Sequence, residues 1–203
     1  MPNDTGRRER KKAATRAALV DAALVLFAEQ GVDETSIEQI TDRVDVSVRT
    51  FHRYFASKDD VLFADREARL AELDEALRAR PTDEPLLKSL REAAAQVSAS
   101  FTTSPEHEGL RLAIIDSSET LRAVSLRATE EWARVVTEYA SERLHLPVTD
   151  PLPRMIGSIV VIAVRHARRD WQADPSIDLV AAVRRNVDAL ADLNAAVDGE
   201  ERP

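Results

Sequence analysis

Apolar residues recur every three or four positions along most of this chain, whereas the alternating pattern of β-strands is almost absent. This spacing places the apolar side chains on one face of an α-helix. Glycine is also scarce, with 5 residues in 203. The pattern therefore predicts an all-α protein of about nine helices, in which an N-terminal three-helix domain with a helix-turn-helix precedes a C-terminal helical bundle.

The first helix is predicted from about Glu9 to Gln30, and Gly31 is placed to end it. Its apolar positions follow the helical repeat, so they should form the stripe that packs on the rest of the domain. That stripe consists of Leu19, Ala22, Ala23, Leu26 and Phe27.

Two short helices joined by a tight turn are predicted next. The sequence TSIE predicts a capping box, in which the hydroxyl of Thr35 accepts from the backbone N–H of Glu38. The second helix should end at Asp45, and Ser47 offers the N-cap of a third helix. The apolar face of the second helix consists of Ile37, Ile40 and Val44.

A long fourth helix is predicted from Ser57 to about Ala79, because Ser57 and Asp60 repeat the capping pattern and Pro81 cannot continue a helix. A domain boundary is predicted near its start, with one domain at residues 1–60 and a second at residues 61–203. Later periodic segments predict helices at about 84–102, 105–117, 119–145, 151–172 and 176–196.

The charge distribution changes the interpretation of the first domain. The whole chain has a formal net charge of −8 at pH 7, which by itself argues against a nucleic-acid partner. The cations nevertheless cluster at one end, where a basic N-terminal arm faces only the single acid Glu9. Such an arm beside two short helices is typical of DNA binding. Its cations are Arg7, Arg8, Arg10, Lys11, Lys12 and Arg16.

Composition argues against several other classes of protein. The chain has no cysteine, which rules out disulfides, thiolate-ligated zinc and a cysteine nucleophile. Its apolar runs, such as IVVIAV at 159–164, are too short to cross a bilayer, and the N-terminal residues lack the pattern of a secretory leader. We therefore expect a cytoplasmic protein with no membrane partner.

The third helix, SVRTFHRYF, combines an apolar side with a cationic side. Helical spacing places Val48, Phe51 and Phe55 toward one side and Arg49 with Arg53 on another. A helix that packs through one side and exposes arginines on the other suits the major groove of DNA. A solvated, cationic helix of an ordinary bundle has the same pattern, so these residues alone leave both interpretations open.

Beyond this pattern, residues 12–63 resemble the N-terminal DNA-binding domain of the TetR/AcrR family of bacterial transcription regulators. The resemblance rests on AALVLFAEQG in the first helix, the threonine and I-x-x-I of the second, and T-F-x-R-Y-F-x-S-K-x-x-V-L across the end of the third. It implies a TetR-like homodimer that reads double-stranded DNA with the third helix. Asp45 stands in the turn where glycine is usual, and aspartate tolerates the left-handed backbone of such a turn.

The resemblance also implies a role for each candidate residue. Arg49 and its two helical neighbours would face base edges or the nearest phosphates, since arginine can bind guanine O6 and N7 with both forks. His52, Tyr54 and Lys58 would hold the DNA backbone, and Thr35 would present its hydroxyl to a phosphate. The candidate DNA-binding residues are Thr35, Ser47, Val48, Arg49, Thr50, His52, Arg53, Tyr54 and Lys58.

Residues 84–196 contain no recognisable catalytic constellation. The histidines lie far apart in sequence, and neither H-E-x-x-H, G-x-S-x-G nor a glycine-rich phosphate loop occurs. We therefore expect no enzyme activity, no catalytic residue, no metal and no cofactor.

The family resemblance implies instead that residues 61–203 bind a small-molecule effector and form the dimer. A wide apolar stripe at 121–139, with apolar residues of two preceding helices, could line an elongated cavity, and Arg111 could meet a polar head at its mouth. An ordinary packed core has the same pattern and remains the alternative. The candidate ligand-binding residues are Phe101, Arg111, Leu112, Ile115, Trp132, Val135 and Tyr139.

The last two helices are the expected dimer interface. The segment MIGSIVVIAV at 155–164 is apolar on more than one face, so it must bury one side in its own domain and another against a partner. Gly157 and Ser158 would permit the close approach of another helix. The candidate interface residues are Ile156, Ile159, Val160, Val183, Val187 and Leu190.

These features together predict a homodimeric, ligand-responsive DNA-binding transcriptional regulator of a kind that is most often a repressor. It would leave a palindromic operator when a small apolar or amphipathic effector binds. The segment RDWQAD at 169–174 is similar to an actinobacterial subgroup with acyl-CoA-like ligands, which implies an acyl-CoA-like effector. A helical protein-interaction module without specific DNA binding, or a helical enzyme, remains an alternative.

Overall fold

The structure, a computed structural model, describes residues 4–192 of the chain. Within this range the chain forms nine α-helices and one 3-10 helix, and it contains no β-strand. The all-α prediction is therefore confirmed. The α-helices are α1 (Asp4–Gln30), α2 (Ile37–Val44), α3 (Val48–His52), α4 (Arg66–Arg78), α5 (Leu86–Phe101), α6 (Pro105–Ser117), α7 (Glu119–Leu144), α8 (Pro151–Ala173) and α9 (Leu179–Asp188). The 3-10 helix spans Asp59–Phe63 and precedes α4.

The helices form two compact units. The first unit contains the chain up to Asp65 and also Glu106–Arg122, whereas the second contains Arg66–Pro105 and the chain from Ala123 onward. Helix α6 therefore belongs in space to the same unit as α1, α2 and α3, although it comes from the middle of the sequence. The sequence-based division near residue 60 had assigned α6 to the second domain.

The core of the first unit contains the predicted apolar stripe of α1, all of which is buried. Helices α2 and α3 contribute Ile40 and Phe51, and the 3-10 helix contributes Val61. Helix α6 adds Ile114 and Ile115 to the same cluster. Because apolar side chains from five segments meet here, removal of apolar surface from water is the main stabilising contribution to this unit.

The core of the second unit is formed where α5 lies against α9 and α4, and where α9 lies against α8. Helices α4 and α5 contribute the buried side chains of Leu77 and Leu90. Helices α7, α8 and α9 contribute Val136, Val160 and Val183. Each helix supplies apolar residues at three- and four-residue steps, which is the spacing that one packed helix face requires.

Helices α7 and α8 approach each other closely at Gly157. A Cβ atom added there would lie 2.2 Å from Thr137 Oγ1 and 2.5 Å from the carbonyl oxygen of Ala133. Both distances are shorter than any ordinary van der Waals contact, so only glycine fits. The close approach expected at Gly157 therefore occurs, and its partner is α7 of the same chain.

Two predicted helix ends are corrected. Helix α1 begins at Asp4 rather than near Glu9, because arginine, lysine and glutamate favour helix even where no apolar stripe is present. The last predicted helix, 176–196, is observed as α9 at Leu179–Asp188, and residues 193–203 lie outside the described residues. None of the helices described is long and apolar enough to cross a membrane.

The predicted long fourth helix is instead two elements, the 3-10 helix and α4. Its capping pattern is present: the N–H of Ser57 donates to the Asp60 carboxylate at 2.9 Å, and the N–H of Asp60 donates to the Ser57 hydroxyl at 3.3 Å. The following hydrogen bonds span three residues, with Val61 N–H donating to the Lys58 carbonyl at 3.3 Å. This pattern winds the segment into a tight 3-10 turn before α4 starts.

Candidate nucleic-acid interface

The N-terminus of α2 is capped one residue later than predicted. Ser36 accepts from the N–H of Gln39 at 3.2 Å, and the Gln39 side chain accepts from the N–H of Ser36 at 2.8 Å. Thr35 instead donates its hydroxyl to the carbonyl of Gly31 at 2.7 Å. The predicted capping box of Thr35 and Glu38 is therefore wrong, because Thr35 turns toward α1 and its side chain is buried.

The same geometry corrects the predicted phosphate contact of Thr35. The residue is only 1% exposed, and its hydroxyl also accepts from Gln30 Nε2 at 3.2 Å. Gln30 donates further to the carbonyl of Glu34 and to Oε1 of Gln39, at 3.0 Å each. Because the hydroxyl of Thr35 is used as donor and as acceptor, its role here is to hold the connection between α1 and α2.

The turn between α2 and α3 is set by one left-handed residue and one N-cap. Asp45 ends α2 with φ 54° and ψ 51°, as the sequence predicts. The N–H of Val46 donates to the carbonyl of Thr41 at 3.1 Å and closes the turn. Ser47 then caps α3 by accepting from the N–H of Thr50 at 3.1 Å, and the two hydroxyls lie 3.0 Å apart. Short-range interactions thus determine the angle at which α3 leaves α2.

One side of α3 is buried in the first unit and the other faces solvent. Phe51 and Phe55 are buried, with ring centroids 5.4 Å apart. Arg49, His52 and Arg53 are exposed. Burial of the aromatic pair therefore determines which side of α3 is presented, and it is the arginine-bearing side.

The two exposed arginines of α3 differ in their surroundings. The guanidinium of Arg53 lies 4.9 Å from the ring centroid of Tyr54 and donates to its hydroxyl at 3.1 Å. A cation over an electron-rich ring is held there by electrostatic attraction. Within the part of the chain that the structure describes, the side chain of Arg49 makes no hydrogen bond or ion pair. The guanidinium of Arg49 is thus available to an external acceptor, whereas that of Arg53 is already oriented.

Lys58 has a different role from the one predicted. Its ammonium donates to the carbonyl oxygens of Val32, Asp33 and Thr35, at 2.5, 3.1 and 2.8 Å. A lysine has three N–H donors, so all of them are used. We therefore correct the predicted backbone contact of Lys58: the residue fastens the connection between α1 and α2 to the start of the 3-10 helix.

The predicted basic arm forms the exposed first part of α1. Its five cations before Ala13 are all exposed, and Glu9 is the acid among them. A continuous helix holds these charges on one rigid element, which concentrates positive potential at one end of a chain of negative net charge. The exposed cations are Arg7, Arg8, Arg10, Lys11 and Lys12.

The seven predicted ligand-binding residues are distributed over the two units. Sequence proximity of α5, α6 and α7 suggested their grouping around one cavity, whereas α6 packs with α1. Four residues lie in or against the core of the second unit: Phe101, Trp132, Val135 and Tyr139. Three lie on α6 in the first unit, where the last of them is part of the core: Arg111, Leu112 and Ile115.

Tyr139 belongs to a polar cluster that ties the connection between α4 and α5 to α7. Arg143 donates to the hydroxyl of Tyr139 at 2.6 Å, to the hydroxyl of Ser89 at 3.2 Å and to the carbonyl of Glu84. Arg80 donates two N–H groups to the carboxylate of Glu84, at 2.6 and 2.7 Å. The hydrogen bonds from Arg80, and after them those from Ser89 and Lys88, lower the pKa of the Glu84 carboxyl from 4.5 to about 2.

Two arginines that the sequence did not single out lie against Phe101 in the second unit. The guanidinium carbon of Arg69 is 3.9 Å from the ring centroid, and that of Arg168 is 4.1 Å away. They come from α4 and α8, which are far apart in sequence. No periodic pattern or short motif could have indicated that they meet at one ring.

Three of the six predicted dimer-interface residues are wrong, because they are buried inside their own unit. Val160 is 2% exposed, and Val183 and Val187 are fully buried. Ile156 and Leu190 pack partly against the same core. The sequence identified α8 as two-sided, but it did not reveal which side faces inward.

The outward side of α8 carries a different apolar stripe, named here the α8 stripe. Leu152, Met155 and Ile162 are 49%, 58% and 48% exposed, and the half-buried Ile159 lies between them. The steps of three, four and three residues place these side chains in one line along the helix. Of the predicted interface residues, Ile159 alone belongs to this stripe.

The geometry of the first unit defines the class of protein. Two short helices meet at a tight left-handed turn, and the second of them has a buried aromatic side and an exposed cationic side, which is the arrangement of a helix-turn-helix DNA-binding domain. The described residues contain no group of three or more side chains that could hold a metal ion. Residues 19–64 match the family model "Bacterial regulatory proteins, tetR family", and residues 84–194 match the model "MftR C-terminal domain". The chain belongs to the TetR family of bacterial transcriptional regulators.

Similarity extends over nearly the whole chain. The HTH-type transcriptional regulator TcmR of Streptomyces glaucescens is 33% identical over 192 residues, covering 89% of this chain and 83% of TcmR. MftR of Mycobacterium tuberculosis (strain ATCC 25618 / H37Rv) is 26% identical over 194 residues, covering 94% of this chain and 96% of MftR. The structure of FadR from Thermus thermophilus, a TetR family transcriptional repressor in complex with lauroyl-CoA, has the same fold, with a TM-score of 0.60, 21% identity, and coverage of 87% and 93%.

Proposed function

We propose that the protein is a ligand-responsive repressor that binds a palindromic operator as a homodimer. It leaves the operator when a small apolar or amphipathic effector binds in the second unit. It acts in the cytoplasm and catalyses no reaction of its own. The observation that carries the proposal is the exposed guanidinium of Arg49, which the burial of Phe51 and Phe55 holds on the outer side of α3.

Arg49 is the residue that we assign to base reading. It lies in the first turn of α3, and in helix-turn-helix proteins this end of the recognition helix meets the base edges. A free guanidinium can donate two parallel hydrogen bonds to O6 and N7 of guanine, which no other base offers in the major groove. The operator should therefore contain a guanine in each half-site at the position that Arg49 reaches.

The remaining exposed groups of α3 are assigned to the DNA backbone. The guanidinium of Arg53 is oriented by Tyr54 and keeps N–H groups for a phosphate. His52 is exposed on the same helix. The basic first part of α1 adds phosphate contacts that carry no sequence information.

The effector is proposed to bind in the second unit. The buried ring of Phe101 and the half-buried ring of Trp132 provide apolar surface, and the guanidinium groups of Arg69 and Arg168 at Phe101 provide a charged end. A ligand with an apolar body and a polar head matches this combination. An acyl-CoA-like molecule is one such ligand. The structure of FadR, which has the same fold, contains lauroyl-CoA, and this similarity of fold is the support for an acyl-CoA-like effector.

The dimer is proposed to form through the α8 stripe. Its side chains expose apolar surface in a continuous line, which a second copy of the helix can cover by two-fold symmetry. Two recognition helices that read successive major grooves must lie about 34 Å apart, so a single domain cannot read a palindrome.

The base-reading proposal is tested by Arg49→Ala. Fragments selected from genomic DNA supply the operator, and titrations compare it with a duplex of unrelated sequence. We expect a loss of about 1–3 kcal/mol on the operator, with relaxed specificity at one base step. Arg43→Ala is the matched control, because it removes the same charge from α2, where the exposed guanidinium lies 3.4 Å from Glu29.

The control variant should keep its preference for the operator. Equal losses of Arg49→Ala on both duplexes would show that Arg49 contacts only phosphate. A wild-type protein that binds both duplexes equally, or neither, would favour a helical protein-interaction module over a regulator.

A further inference from the structure

The carboxylate of Asp65 bridges two arginines from distant parts of the sequence. Arg16 of α1 donates to Oδ1 at 3.4 Å, and Arg111 of α6 donates to Oδ2 at 3.3 Å. All three residues belong to the first unit. Asp65 immediately precedes α4, so one carboxylate connects α6 and α1 at the point where the chain leaves this unit.

Arg16 continues this connection to the recognition helix. Its guanidinium lies 5.4 Å from the ring centroid of Phe55, and it also donates to the carbonyl of Ala64. The ring of Phe55 in turn lies 5.4 Å from that of Phe51, the buried residue of α3. The ion pair with Asp65 thus helps to determine the position of a cation that supports the buried side of α3.

Arg111 is held at the other end by two carboxylates. Besides Asp65, it pairs with Glu108 of α6 at 3.4 Å, and the side chains of Arg111 and Glu108 are 12% and 4% exposed. Burial strengthens the pair between Arg111 and Glu108, because the local dielectric constant is lower than that of water, whereas the Asp65 side chain is 40% exposed and its pairs are weaker. Among the described residues, Nε of Arg111 has no hydrogen-bond partner. The orientation of this guanidinium is therefore set by its ion pairs rather than by a complete set of hydrogen bonds.

We propose that Asp65 is a positioning residue for operator binding, which couples the placement of α6 to the orientation of α3. The proposal rests on the proposed function, in which α3 reads the operator. Helix α6 comes from the C-terminal half of the sequence, and both of its ends continue into segments of the second unit. The bridge Arg111–Asp65–Arg16 therefore connects that half of the sequence to the support of the recognition helix.

The physical basis is that two cations share one carboxylate. If α6 moves, Arg111 draws the shared carboxylate with it, so the distance between Asp65 and Arg16 changes and their attraction changes with that distance. Arg16 contacts the aromatic residues that hold α3, so the orientation of α3 responds. The bridge acts on DNA binding without any of its three residues having to touch DNA.

The test uses Asp65→Asn in the full chain, because asparagine keeps the shape of the side chain and removes its charge. We expect the affinity for the operator selected from genomic DNA to fall roughly 2- to 30-fold, which is the range of coupling effects on a distant site. His107→Ala is the matched control. It removes another contact between α6 and α1, where Nδ1 of His107 lies 3.4 Å from Asp21, without touching the bridge. Its operator affinity should stay within about twofold of wild type.

Arg111→Met and the double variant Asp65→Asn with Arg111→Met separate positioning from general destabilisation. If Arg111 acts through Asp65, the double variant should lose no more operator affinity than Asp65→Asn alone. Additive losses would overturn the coupling. Circular dichroism at the assay temperature gives the fraction of folded protein, and each affinity is calculated for the folded protein. A variant that only lowers the stability of the fold therefore keeps the wild-type affinity.

Wild type and Arg49→Ala are titrated in the same experiment. If wild type binds the operator specifically and Asp65→Asn matches the His107→Ala control, the positioning role is overturned and the proposed function stands. If wild type shows no sequence-specific binding, both are overturned.

Discussion

The α8 stripe leads to a direct prediction: Ile162→Glu should convert the dimer into monomers. Leu152, Met155 and Ile162 are each about half exposed in the single chain. Complete burial of such a side chain contributes about 1.5–3 kcal/mol, so covering the exposed half contributes about 0.7–1.5 kcal/mol. Six such side chains from two protomers then contribute roughly 4–9 kcal/mol toward association, before the entropy cost of association is subtracted.

A glutamate at position 162 acts against this gain twice, because two-fold symmetry introduces one carboxylate from each protomer. Removing an unpaired carboxylate from water costs several kcal/mol per ion, which is comparable to the whole apolar contribution. The dimer should therefore dissociate at low micromolar protein concentration. Operator affinity should fall with it, since one protomer presents only one recognition helix.

Sedimentation velocity measures the association state, and operator titrations are run at the same protein concentrations. Leu126→Glu is the matched control, because Leu126 of α7 is 49% exposed and lies outside the α8 stripe. This control should remain dimeric. The reasoning is refuted if Ile162→Glu is as dimeric as the control, or if it becomes monomeric and keeps full operator affinity.

Two further predictions concern stability. Gly157→Ala should lower the free energy of unfolding by about 1–3 kcal/mol, as measured by chemical denaturation. The new Cβ would clash with Thr137 and with a backbone carbonyl that cannot move freely. The gain of ~1 kcal/mol in helix propensity does not compensate for this clash. The neighbouring exposed Ser158→Ala should be nearly neutral, and similar stabilities of the two variants would contradict the close packing. The depressed pKa of Glu84, about 2 against 4.5, means that its hydrogen bonds with Arg80 stabilise the fold fully above pH 4.5 and lose this contribution as the pH falls toward 2. Glu84→Gln should show a smaller loss of stability than wild type between pH 4.5 and 2, and parallel curves would disprove this role.

Local features of the sequence were sufficient to predict most of the helices, including the two short helices joined by a tight turn. The apolar stripe of α1, the left-handed turn at Asp45 and the N-cap at Ser47 depend on residues within a few positions of one another. The helical repeat and the capping preferences act over this same range. The error at Thr35 shows the limit of such rules. Thr35 and Ser36 both offer a hydroxyl that could cap α2, and the burial of Thr35 against α1 leaves Ser36 as the N-cap.

Which polar groups remain available for DNA was decided by tertiary structure. Lys58 lies in a motif that implies phosphate contact. Its ammonium instead donates to three backbone carbonyl oxygens, which lie up to 26 residues away in sequence. Arg49 and Arg53 both belong to the cationic side of one helix, and only the surroundings distinguish the unengaged guanidinium from the one stacked on Tyr54. A periodic pattern records the polarity of a side chain and not the identity of its partner.

The sequence by itself thus determined most of the helices, their order and their apolar faces, because these follow from interactions within a few turns of helix. Tertiary structure decided that α6 joins the DNA-binding unit and that Val183 and Val187 are core, while the α8 stripe stays outside. An apolar face gains the same free energy against any apolar surface of suitable shape, since the hydrophobic effect has no direction. The choice between an internal helix and a second protomer therefore depends on close packing between distant segments, such as α7 and α8 at Gly157, which no local pattern contains.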